Sequence, residues 1–77
     1  MNKTLSQTMK DAREYTLQVP DITVWVLSKK GELPIIRTEE NKAQFYAKEC
    51  GWTIVAKFRN GMEGEIRWAF RPRYQTA

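Results

Sequence analysis

Trp52-Thr53-Ile54-Val55-Ala56-Lys57-Phe58-Arg59-Asn60-Gly61-Met62-Glu63-Gly64-Glu65-Ile66-Arg67-Trp68-Ala69-Phe70-Arg71 is the stretch whose reading decides the fold class. Trp52, Ile54, Ala56 and Phe58 alternate with Thr53, Val55, Lys57 and Arg59. Ile66, Trp68 and Phe70 alternate in the same way with Arg67, Ala69 and Arg71. Successive strand residues point to opposite faces, so both halves read as strands with one apolar side. The expectation is a β-hairpin with one apolar face and one mostly basic face.

Asn60-Gly61 is a strong signal for a two-residue hairpin loop. Parity argues against it. Such a loop pairs Arg59 with Met62 and sets Val55, rather than Ile54, opposite Ile66. The two apolar sets then lie on opposite faces, the consequence of any one-residue slip. An odd loop restores agreement, either Asn60-Gly61-Met62 or a longer one ending at Gly64, although Met62 suits a left-handed position poorly. A bulge would also rescue the shorter turn. The Asn60–Gly64 connection is therefore expected to be longer than two residues, or bulged. With an odd loop, Trp52, Ile54, Phe58, Ile66, Trp68 and Phe70 point inward. Lys57, Arg59, Arg67 and Arg71 share the outer face, with Arg73 just beyond and Glu63 and Glu65 available to pair with them.

Working back toward the N-terminus, Thr38 reads as the N-cap of a helix running to Cys50. Glu39 and Glu40 stand in its first turn, where the helix dipole favours negative charge. Gly51 supplies the left-handed stop. Ala43, Ala47 and Cys50 share a face with Tyr46 beside them, whereas Phe45 points elsewhere. Phe45 either covers a flanking strand or the N-terminal arm, or stands exposed as an anchor for a partner. Cys50 reads as a small hydrophobe at the helix end, where the dipole disfavours a thiolate.

Ile22–Leu27 is the most apolar run and reads as a strand covered on both faces. Lys29-Lys30-Gly31 follows as a hairpin loop, and Leu33–Ile36 as the returning strand. Pro34 cannot donate to a ladder, so that strand is expected to be short and at an edge. Tyr15, Leu17 and Val19 alternate with Thr16 and Gln18 as a strand would, and Pro20-Asp21 reads as a turn. Thr4 to about Glu14 carries Leu5, Met9 and Ala12 at helical spacing; residues 1–13 form a short helix or a frayed arm. The sum is one α+β domain over residues 1–77. It has an antiparallel sheet of four or five strands and a main helix, about residues 38–50, on its apolar face.

Composition narrows the function. One cysteine excludes an internal disulfide and suits a reducing, cytoplasmic setting. The polar N-terminus lacks a signal-peptide core, and no run is long enough to span a membrane. The net charge of +4 is uneven. Six bases balance six acids in residues 1–40, while seven bases face three acids in residues 41–77, so the whole excess lies in the second half. No histidine is present, so histidine-based acid–base catalysis is absent. Glu63-x-Glu65-x-Arg67 loosely resembles a carboxylate pair for a metal, but no third ligand is evident and charge pairing explains it more simply. No catalytic residues, cofactor or metal site are expected.

What remains is a binding protein whose partner-binding residues are Lys57, Arg59, Arg67, Arg71, Arg73 and Phe45. Four of these five basic residues are arginine, which suits bidentate contact with carboxylate or phosphate. The first expectation is a regulator or inhibitor docking on an acidic surface of a larger protein. The alternative is nucleic-acid binding through the same face, although no zinc-finger, helix-turn-helix or RNA-recognition signature is present. An edge strand at Leu33–Ile36 offers strand addition or homodimerisation.

Overall fold

The computed structural model describes residues 4–66. It is an α+β fold with two helices and a four-stranded antiparallel sheet. In chain order the elements are α1 (Leu5–Gln18), β1 (Thr23–Ser28), β2 (Ile35–Arg37), α2 (Glu40–Glu49), β3 (Thr53–Arg59) and β4 (Met62–Glu63). The spatial order is β2-β1-β3-β4. The most apolar strand, β1, lies inside the sheet, and Val24 to Leu27 are buried without a break. Side chains from both sides of β1 are therefore withdrawn from water, each contributing about 1.5–3 kcal/mol.

The alternation along β1 assigns the two faces. Val24 and Val26 pack with Ala12 of α1 and with Ala56 and Phe58, while Leu5, Met9 and Val55 add partial cover. Trp25 and Leu27 pack with Ala43 of α2, flanked by Ile35, Tyr46, Trp52 and Ile54. One helix thus covers each face. This corrects the expectation of a single apolar face opposite a basic one.

The correction originates in β3. Val26 pairs with Ala56, but Leu27 pairs with Ile54, leaving Val55 as the extra residue of a bulge. The regular alternation from Trp52 to Phe58 is broken at that point. Ala56 and Phe58 face α1, whereas Trp52 and Ile54 face α2. One strand thereby supplies both cores.

The turn after β3 is the two-residue Asn60-Gly61 loop. Arg59 pairs with Met62 and Phe58 with Glu63. Both loop residues are left-handed, at φ 51° and 79°, as this mirror-image turn requires. The expectation of a longer Asn60–Gly64 connection is overturned, because the loop is two residues long. β4 is two residues long, and the Gly64 N–H still reaches Lys57 O at 2.8 Å. The expected second strand from Ile66 through Arg71 lies, beyond Ile66, outside the described residues.

The N-terminal helix runs farther than its pattern suggested. The Thr4 hydroxyl caps it by accepting from Gln7 N at 3.1 Å. Tyr15 to Gln18 are helical, so the strand reading of residues 15–19 is overturned. Thr8, Ala12 and Thr16 recur every four residues on the buried side, a small-residue stripe that outweighs the Tyr15/Leu17/Val19 alternation. Both buried threonine hydroxyls are satisfied locally. Thr8 donates to Thr4 O and Thr16 to Arg13 O, which limits the cost of burying them.

Two boundaries also shift. β2 is Ile35–Arg37 rather than Leu33–Ile36, so the connection from β1 runs from Lys29 to Pro34 and is longer than Lys29-Lys30-Gly31. A tight turn sits inside it, closed by Glu32 N donating to Lys29 O with Gly31 at φ 85°. β2 is an edge strand, as Pro34 implied. The N-cap of α2 is Glu39 rather than Thr38, without a side-chain hydrogen bond, while Gly51 ends the helix at φ 79° as expected. Among the described residues no helix is long and apolar enough to cross a membrane.

Candidate functional site

Strand register places three cations on the α2 side of the sheet. Trp25 lies opposite Arg37 on β2 and opposite Lys57 on β3, and residues directly opposite in an antiparallel pair share a face. Arg37 and Lys57 therefore flank Trp25 in one row across the sheet, their backbones separated by two strand spacings of about 4.8 Å each. Arg59, opposite Thr23, lies two residues farther along β3 on the same face.

Each cation is positioned differently. The Arg37 guanidinium stacks over the Tyr46 ring at 4.8 Å from its centroid, within the range of a cation–π contact. It also donates to Ile36 O at 2.7 Å and to the Tyr46 hydroxyl at 3.1 Å. The Lys57 stem runs beside Gly64, with its Cε 3.1 Å from where a Cβ at that glycine would stand. Arg59 donates to Thr23 Oγ1 at 3.2 Å and lies 3.7 Å from Asp21. That pair is largely exposed, so it is worth only about 0–1 kcal/mol. Glu63 belongs to the opposite face, because it pairs with Phe58. Among the described residues, Lys57 and Arg59 therefore stand on the face opposite Glu63.

An aromatic chain borders the cations. Phe45, Tyr46 and Trp52 meet edge to face with centroids 6.0 and 6.1 Å apart. Lys29 lies over Trp52 at 5.9 Å and donates to Cys50 O at 2.8 Å. Phe45, at the outer end, is 56% exposed. Between β2 and the start of α2, a cleft of about 380 Å³ is lined by Ile36, Arg37, Thr38, Glu39, Lys42 and Tyr46. Among the described residues no three His, Cys, Asp or Glu side chains converge as a metal site would need.

Of the expected binding residues, Lys57 and Arg59 share one face, and Phe45 stands exposed on the helix that covers it. Arg67, Arg71 and Arg73 lie outside the described residues. Arg37 was missed. Its signal was hidden in the pairing register, since only the length of the connection over residues 29–34 sets it opposite Trp25. No family model, curated protein or solved structure matches the chain, so the reading of this face rests on its own geometry.

Proposed function

We propose that the chain is a small non-catalytic binding protein, a regulator or inhibitor, that docks the α2 side of its sheet on an acidic surface of a larger protein in the cytoplasm. The observation that carries the reading is the row Arg37–Trp25–Lys57, with Arg59 on the same face. Arg37 is held by stacking and hydrogen bonds, so less side-chain entropy is lost when its remaining donors meet a carboxylate. Phe45 adjoins this face as a half-exposed aromatic, the residue class that anchors protein interfaces. The open edge of β2 is a second surface, suited to strand addition or to a homodimer.

The test is a tagged pull-down from cells, with and without nuclease. A partner retained after nuclease treatment and lost when Arg37, Lys57 and Arg59 are all changed to Glu supports the proposal. Each reversal at an interface is expected to cost about 2 kcal/mol or more in binding. Retention of the same partner by the triple variant removes this face from consideration. Loss of everything on nuclease treatment turns the reading to nucleic acid, where about four phosphate contacts give a log–log salt slope near −3.6 on duplex DNA.

A further inference from the structure

Asn-Gly is the sequence pair most open to spontaneous deamidation, because a glycine nitrogen has no neighbouring Cβ to hinder its approach to the asparagine side chain. Asn60-Gly61 is such a pair, and Asn60 is exposed. In the reaction, hydroxide takes the proton from the Gly61 amide, whose nitrogen bonds to Asn60 Cγ. The Cγ–Nδ2 bond breaks, ammonia leaves, and a five-membered succinimide closes. Water then opens the ring at either carbonyl, giving aspartate or isoaspartate at position 60 with no change of oxidation state.

The fold obstructs the steps that lead to ring closure. The attacking nitrogen is not free, since Gly61 N–H donates to Thr16 Oγ1 at 2.8 Å in a buried setting. Thr16 is itself 1% exposed and donates to Arg13 O at 2.7 Å, which turns its acceptor side toward Gly61. The electrophile is also held, because Asn60 Oδ1 accepts from Asp21 N at 3.0 Å. Arg13 Nε donates to Gly61 O at 2.8 Å, fixing the next peptide, Gly61–Met62, on the other side of the glycine. Every one of these bonds comes from α1 or from the turn that follows it.

We propose that Asn60-Gly61 is a latent deamidation site kept shut by α1, reacting only in molecules whose α1 has lifted from the turn. The product removes one positive unit of net charge beside Arg59. Its isoaspartate form also adds a main-chain atom to a two-residue loop, and so breaks the Arg59–Met62 pairing.

The experiment follows deamidation at position 60 by peptide mass mapping and isoaspartate detection. The full chain is incubated in mildly alkaline buffer and, separately, in denaturing urea. The reaction in buffer is expected to be slower by at least about tenfold, because only locally opened molecules react. Thr16→Val keeps the shape and removes the acceptor. It should raise the rate in buffer by about tenfold, while Thr16→Ser keeps the original rate, with circular dichroism showing both folded. Equal rates in buffer and urea overturn the proposal, as does a folded Thr16→Val protein that reacts at the original rate. Should Thr16→Val fail to fold, the unaltered chain decides. Deamidation that rises with urea in step with Gly61 amide exchange supports the proposal, and deamidation independent of that exchange overturns it.

Discussion

The two helices cover opposite faces of the same strands, and they do so by different chemistry. α1 buries Thr8, Ala12 and Thr16 and sends polar bonds from Arg13 and Thr16 into the β3–β4 turn. α2 buries Ala43 alone. Its remaining contacts are aromatic and cationic, running through Tyr46, Trp52 and Arg37, and they leave Phe45 in water. The first face is closed by small side chains and satisfied hydrogen bonds, while Tyr15 and Leu17 of α1 stand exposed. The second carries charge and exposed aromatic area next to its core. The difference sets the face closed by hydrogen bonds to the turn against the face that the proposed docking would use.

The largest effect expected on this comparison comes from adding bulk at one alanine of each helix, fully buried Ala12 on α1 and half-buried Ala47 on α2. Ala12→Leu should destabilise by about 1–3 kcal/mol, since a fully buried position has no room for added methylenes. Ala47→Leu on half-buried α2 should cost less than about 1 kcal/mol. Urea unfolding of both variants measures the difference, and equal losses would erase the distinction between the faces.

Gly61→Ala tests the polar clamp of α1 on the turn. A left-handed alanine at φ 79° costs about 1–2 kcal/mol. Its Cβ also runs into Leu17 Cδ2, but Leu17 is 64% exposed and can rotate away. Adding Leu17→Ala should therefore recover only the smaller, steric part of the loss. Full recovery in thermal melts would show that the turn tolerates the strain and that contact alone demands glycine.

The smallest effect belongs to the surface ion pair. Asp21→Asn or Arg59→Gln should each change stability by less than about 1 kcal/mol, and the change should fade as salt is added. A larger, salt-resistant loss would mean that Arg59 is committed to the fold rather than left available to a partner.

Local signals were sufficient for several elements. The β1 strand followed from an unbroken apolar run, the end of α2 from Gly51, and the edge position of β2 from Pro34. The Asn60-Gly61 pair also forms the two-residue turn that its dipeptide signals, contrary to the parity of the flanking apolar residues. Parity holds along β3 only if the strand keeps one alternation over its whole length, and the bulge at Val55 changes its face midway. A bulge depends on how β3 meets β1 and leaves no mark in the sequence of β3 itself. The strand-like alternation at Tyr15, Leu17 and Val19 misled for a related reason. Three small side chains at helical spacing won because a sheet face was there to receive them.

By itself, then, the sequence determined the α+β class, the inner strand, the turn residues and the basic excess of the second half. These depend on φ preferences, apolar runs and charge, all properties of neighbouring residues. Tertiary structure alone decided that both faces carry a helix, that β3 divides its apolar residues between two cores, and that Arg37 joins Lys57 across Trp25. Those outcomes depend on register between strands far apart in the chain. Register follows from the packing of whole elements rather than from any one segment.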